Sequence, residues 1–123
     1  MSFEKGNQLY NNGKYKQAIN EYIESIKNYE EVESCYYNMA VSYMKLKEYD
    51  DGIECLKNAI SYNRKSKYFY NLGCCYYNKK DLGSAMFNLI IAYGLDDEDE
   101  DIRDAIDIIS KVISSENDER ENK

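Results

Sequence analysis

The side chains with the most reactive chemistry to offer are four cysteines and a run of six carboxylates. The cysteines are Cys35, Cys55 and the adjacent Cys74 and Cys75. A zinc site draws on thiolates in C-x-x-C spacing or on thiolates joined by imidazoles. That spacing does not occur, and the sequence has no histidine. The same lack removes the usual base for a serine or cysteine nucleophile, and there is no glycine-rich phosphate loop. The carboxylate run, Asp96 to Asp101, has two readings. It could serve a calcium loop, but Ile102 stands where such a loop needs glycine at its sixth position. It could equally sit at a helix N-terminus, where the dipole favours negative charge. Glu54, Asp50 and Asp51 fall on what reads as a solvated helix face. These residues imply no catalytic site, no metal and no cofactor. The thiols are expected to be reduced, with Cys75 packing as a small hydrophobe.

The charge is unevenly spread. The net of −7 over 123 residues divides into +1 for residues 1–95 and −8 for residues 96–123. A nucleic-acid surface would need a basic stripe to neutralise phosphates, and none is present. No stretch approaches the roughly 20 apolar residues of a membrane-spanning helix. The opening Met1-Ser2-Phe3-Glu4-Lys5 lacks the apolar core of a secretory signal. A cytoplasmic protein that binds neither nucleic acid nor membrane is expected.

The elements that must position any site follow from an internal repeat. Gly13-Lys14-Tyr15-Lys16-Gln17-Ala18-Ile19 reappears as Lys47-Glu48-Tyr49-Asp50-Asp51-Gly52-Ile53, then as Lys80-Asp81-Leu82-Gly83-Ser84-Ala85-Met86. The spacings are 34 and 33 residues. Each period holds two apolar stripes at i, i+3, i+4 and i+7, one per amphipathic helix. Tyr36, Met39, Ala40 and Tyr43 form one, and Tyr49, Gly52, Ile53, Leu56 and Ala59 form the next. Each unit is therefore a helix hairpin. Gly6 with Ala18, Ala40 with Gly52, and Gly73 with Ala85 supply small residues where two helix axes can approach closely. A glycine inside a helix costs about 1 kcal/mol against alanine, so its recurrence implies a packing gain.

A hairpin of this period, with aromatic and small residues at fixed offsets, resembles the tetratricopeptide repeat. The family's fourth-position aromatic is met by Tyr36 and Phe69, though not by Ser2. Its small eighth, twentieth and twenty-seventh positions are met by Gly6, Ala18 and Ser25, by Ala40, Gly52 and Ala59, and by Gly73, Ala85 and Ala92. The closing proline is replaced by Glu30, Arg64 and Asp97. The resemblance implies an all-α, right-handed α-solenoid of three hairpins, about 1–30, 33–63 and 66–97. The stripe Ile102, Ala105, Ile106, Ile109 and Ile113 would form a capping helix over 98–115 that covers the last repeat's open face. Residues 116–123 read as a disordered acidic tail.

The same resemblance implies a concave groove lined by the first helix of each hairpin, carried over by position. It would present Phe3, Asn7, Tyr10 and Asn11, then Ser34, Tyr37, Val41, Met44 and Lys45, then Lys67, Tyr70, Cys74, Tyr77 and Asn78, with Asn38 and Asn71 at its edge. Tyrosine and asparagine together suit an extended peptide or a partner helix. Tyr37 and Tyr70 could instead pack between neighbouring first helices. Chaperone-binding adaptors of the family grip a C-terminal carboxylate. Asn7, Asn38 and Lys67 match that clamp, whereas Phe3 and Asn71 stand where cations are expected. The function implied is a non-enzymatic module that binds another protein or peptide. The alternatives are a co-chaperone-like adaptor for an acidic Hsp70 or Hsp90 tail, and a scaffold that self-associates through its ends.

Overall fold

The structure is a computed structural model and describes residues 1–121. It is all-α, with seven helices and no strand among the described residues. They are α1 (Ser2–Asn11), α2 (Tyr15–Lys27), α3 (Val32–Lys45), α4 (Tyr49–Tyr62), α5 (Ser66–Asn78), α6 (Leu82–Leu95) and α7 (Glu100–Glu121). The all-α fold of helix hairpins with a C-terminal helix is the one the repeat spacing implies. The chain divides into two compact units, one ending at Arg64 and one beginning at Lys65.

In the first unit, α1 packs on α2, α2 on α3, and α3 on α4. Its core holds Ala18, Ile19, Tyr22, Cys35, Met39, Ala40, Ile53, Cys55, Leu56 and Ala59. The small residue where α1 crosses α2 has a visible cause. A Cβ on Gly6 would lie 2.7 Å from the Tyr22 ring, so only glycine lets α1 sit this close to α2. The turn after α2 lacks the family's proline and is closed by its backbone, Glu30 N–H donating to the Ser25 carbonyl at 2.9 Å, with side chains adding to it. Buried Ser25 donates its hydroxyl to the Glu30 carbonyl at 2.9 Å, and the Cys35 thiol reaches the same oxygen at 3.6 Å.

The turns within the hairpins share one design. Gly13, Lys47 and Lys80 adopt φ of 76°, 60° and 66°, occupying equivalent places in the three repeats. At each, two backbone N–H groups turn back to the preceding helix. Gly13 N–H donates to Tyr10 and Lys14 N–H to Leu9. Lys47 and Glu48 bond Met44 and Tyr43, and Lys80 and Asp81 bond Tyr77 and Tyr76. This left-handed stop satisfies the last carbonyls of the helix. Glycine adopts it freely, while lysine carries a Cβ into a conformation costing roughly 1–2 kcal/mol.

In the second unit, α5 packs on α6 and α6 on α7. Ala85, Leu89 and Ile109 form a buried cluster against which Tyr70, Tyr76, Leu82, Met86, Ala105, Ile106 and Ile113 pack. Covering Leu89 alone is worth about 1.5–3 kcal/mol relative to exposure. The stripe read along the last segment is thus the face that α7 lays on α6. The acidic run starts that helix: the Asp99 carboxylate accepts from the N–H groups of Asp101 and Ile102 at 2.9 and 3.3 Å, and Asp96 accepts from Glu98 at 3.2 Å. No cluster of three or more cysteine or acidic side chains among the described residues is arranged to hold a metal. Among the described residues no helix is long and apolar enough to cross a membrane.

One boundary is corrected. Helix α7 runs on to Glu121, where the polar character of residues 116–123 suggested disorder beginning at 116. From Ser114 to Glu121 no glycine or proline interrupts the turn-to-turn hydrogen bonds, so a polar face does not end the helix. Residues 122 and 123, the rest of that expectation, lie outside the described residues.

Candidate peptide-binding site

Within the first unit, α1 and α3 present a recess of about 390 Å³ lined by Asn7, Tyr10, Asn11, Tyr22, Tyr37, Asn38 and Val41. At its floor is a short polar chain. The Tyr22 hydroxyl donates to Asn7 Oδ1 at 2.6 Å, and Asn38 Nδ2 donates to the same oxygen at 3.0 Å. Tyr22 is 1% exposed, and burial pushes its hydroxyl up to about 12. It therefore stays a neutral donor at any physiological pH. With its oxygen twice occupied, Asn7 keeps its NH2 as the group able to meet an acceptor. Tyr10 is braced edge-on by Tyr15, ring centroids 5.4 Å apart. The recess thus offers oriented amide and phenol groups with an apolar wall at Val41.

The remaining positions carried over from the family are not all in this recess. Phe3 lies tilted against the Tyr22 ring, centroids 6.3 Å apart, and so supports the floor. Ser34, Met44 and Lys45 lie on α3 outside the recess lining. In the second unit, Lys67 Nζ sits 5.8 Å from the centroid of the buried Tyr68 ring. The Asn71 side chain donates to the Lys67 carbonyl at 2.7 Å, which turns its amide back along α5.

Tyr70 is half-buried. It rests on the Ala85, Leu89 and Ile109 cluster. Burial pushes its hydroxyl up to about 12, with the neighbouring Cys74 and the carboxylates of Asp101 and Asp99 adding to the shift. Cys74, Tyr77 and Asn78 line a small apolar cavity of about 140 Å³ with Gly73, Leu89, Ala105, Ile108 and Ile109. Tyr70, Cys74, Tyr77 and Asn78 thus lie beside α7, with Tyr77 and Asn78 still exposed and the apolar stripe of α7 laid on α6. All four thiols are raised above their usual value, chiefly by burial. Cysteines in this state are poor nucleophiles.

Tyr22 was not among the residues the sequence pointed to. A signal for it existed. Its counterparts one and two periods on are Leu56 and Leu89, and those of Asn7 are Val41 and Cys74. The first repeat alone places a phenol and an amide where its successors carry weakly polar or apolar pairs.

Comparison with known proteins follows the same division. A family model described as anaphase-promoting complex, cyclosome, subunit 3 matches residues 3–59, and the tetratricopeptide-repeat model matches residues 66–99. Human tetratricopeptide repeat protein 12 is 31% identical over 71 residues, covering 57% of this chain and 10% of that protein. The chain thus spans about a tenth of that relative's length. Among solved structures, the Hsp90 co-chaperone Cns1 from Saccharomyces cerevisiae superposes with a TM-score of 0.91 at 24% identity, over 98% of this chain and 41% of that one. The first TPR of Spaghetti (RPAP3), solved bound to the HSP90 peptide SRMEEVD, superposes with a TM-score of 0.84 at 22% identity, over 92% and 90%.

Proposed function

We propose that this chain, whose third hairpin matches the tetratricopeptide-repeat model, is a non-enzymatic module that holds a peptide or helix of another protein against α1 and α3. The observation that carries the reading is the Tyr22–Asn7–Asn38 chain of hydrogen bonds beneath the recess. Buried polar groups cost stability unless satisfied. A fixed amide pair bordered by Tyr10 and Tyr37 presents donors and acceptors in the mix that a peptide backbone requires. The test is an affinity pull-down from extract with wild type beside Tyr37→Ala/Asn38→Ala, with bound proteins identified by mass spectrometry. A partner recovered by wild type and lost from the variant is expected. Identical recovery by both would refute the role of this recess.

The second reading, recognition of an acidic C-terminal tail, draws on two observations. Asn7 and Asn38, which match the family's carboxylate clamp, are brought within 3.0 Å of each other. The Spaghetti domain of similar fold was solved with an HSP90 tail peptide. Against it, Phe3 and Asn71 replace two cations of the clamp, and charge-assisted bonds are about twice as strong as neutral ones. Titrating the peptide SRMEEVD into wild type, Asn7→Ala and Asn38→Ala decides between them. Binding weakened by both substitutions supports the tail reading, and no binding to wild type removes it.

A further inference from the structure

Helix α6 contains no charged residue from Leu82 to Leu95, although a whole side of it faces solvent. Gly83, Phe87, Ile90 and Gly94 follow one another at i, i+4, i+7 and i+11, and all four are exposed, Phe87 at 63% and Ile90 at 57%. The repeat itself shows that this is not a requirement of the fold. The equivalent positions in the first hairpin are Lys16, Asn20, Ile23 and Lys27, and in the second Asp50, Glu54, Lys57 and Ser61. Charge or polarity stands at every one of these places except Ile23, whereas the third hairpin has none at any of the four. The two glycines have no explanation inside the chain. Whereas a Cβ on Gly6 or Gly73 would collide with a neighbour at 2.7 Å, one on Gly94 would meet nothing within 4 Å, and one on Gly83 only the Asp81 carboxylate at 3.9 Å.

Beside the stripe, Ile90 and Tyr93 of α6 face Arg103, Ile106, Asp107 and Ser110 of α7 across a groove of about 430 Å³. The stripe runs directly into the most acidic stretch of the molecule. Residues 96–107 carry eight carboxylates and one arginine. An exposed apolar strip on a soluble helix marks an interaction surface, and the charge beside it selects the occupant. Two copies of this face brought together with their α6 helices parallel would set acidic stretch against acidic stretch, which is repulsive. An anionic membrane surface is disfavoured for the same reason.

We propose that the outer face of α6, together with the groove between α6 and α7, docks a basic amphipathic helix of a partner protein. The partner's apolar side lies over Phe87, Ile90 and Tyr93, and its cations lie toward residues 96–101. The glycines at the two ends of the stripe allow the partner backbone to approach closely. This surface is separate from the recess of the first unit and does not depend on its role.

The test uses the full chain and a defined probe. The probe is a fluorescent synthetic peptide of about 18 residues, five turns of helix, with leucines at i, i+3, i+4 and i+7 and lysine or arginine elsewhere. A second peptide keeps the leucines and carries glutamate for the cations, and a third scrambles the basic sequence so that the stripe is lost. The basic amphipathic peptide is expected to bind, with affinity that falls as salt rises, and the two controls to bind far more weakly. Ile90→Asp should weaken binding on the order of tenfold or more, as loss of a central apolar contact does, and it should not unfold so exposed a position. Asp97→Asn/Glu98→Gln/Glu100→Gln should weaken the basic peptide and flatten its salt dependence, leaving Asp96 and Asp99 to hold the turn. Tyr37→Ala should change nothing. No binding to wild type, equal binding of the acidic peptide, or no effect of Ile90→Asp would overturn the proposal. So would a dimer seen by light scattering, or vesicle binding, that Ile90→Asp abolishes, since either would name a different occupant.

Discussion

Replacing Tyr22 by phenylalanine removes a single oxygen from the floor of the recess and tests whether the polar chain there is real. The ring that sits against Gly6 is kept, so the packing of α1 on α2 is unchanged. What is lost is the 2.6 Å bond from the phenol to Asn7 Oδ1. A hydrogen bond of this kind contributes a net of about 0.5–1.5 kcal/mol. The oxygen left behind still accepts from Asn38 at 3.0 Å, so Asn7 is not orphaned and the larger penalty for an unsatisfied buried group does not apply. The expected loss is about 1 kcal/mol, by the same mutational scale. Urea unfolding followed by far-UV circular dichroism measures it as a lower midpoint at unchanged slope. The companion double variant Tyr22→Leu/Asn7→Val installs the pair that Leu56 and Val41 form in the second repeat. It should cost less than the sum of its parts, because the two residues act through one bond. A loss near zero for Tyr22→Phe would refute the bond. Strict additivity in the double variant would refute the coupling.

Three further outcomes follow from the packing and backbone of the hairpins. Lys47→Gly and Lys80→Gly relieve side chains held at φ of 60° and 66°. Each should raise stability by up to about 1 kcal/mol, after the entropy that glycine gives the unfolded chain is set against the relief, readable as a higher unfolding midpoint. Gly73→Ala places a Cβ 2.7 Å from Leu89 Cγ and 3.2 Å from the Ala85 carbonyl. It should destabilise by about 1–3 kcal/mol despite alanine's better helix propensity, whereas Gly94→Ala should not. Stability should also fall in alkali. Burial raises Cys55 and Cys75 from 9.0 to about 12, and Tyr22 from 10.0 to about 12. The unfolded chain therefore gives up these protons first. Their contribution is whole below pH 9 and is lost as pH rises from 9 through 12. Urea midpoints taken from pH 7 to 11 check this, and a midpoint that stays level above pH 9 would contradict it.

The hairpins were legible because their cause is local. A 34- and 33-residue recurrence of small residues at helical spacing leaves few ways to bury both faces of each helix. The α7 stripe was legible for the same reason, since Ile102, Ile106 and Ile109 repeat with the helix. What escaped depends on contacts between distant segments. Tyr22 and Asn7 are 15 residues apart, and only the packing of α1 on α2 reveals that they meet. Tyr70, Cys74 and Tyr77 share register with Tyr37, Val41 and Met44. They differ in sharing a cluster or a cavity with residues of α7, a fact no single repeat contains. The length of α7 escaped because polar composition was read as disorder, while no residue before Glu121 breaks the helix. The outer face of α6 was visible as an uncharged run, but its exposure was not.

The most direct test of the central claim places a photocrosslinking amino acid at single positions and irradiates the protein in extract. Tyr37, half-buried at the edge of the recess, is the test position. Tyr29, 90% exposed in the turn between α2 and α3, is the control. The expected result is a discrete adduct from position 37 that position 29 does not give, and that disappears when Asn38→Ala is added. No adduct from position 37, or the same adduct from both positions, would contradict a peptide-holding face on α1 and α3.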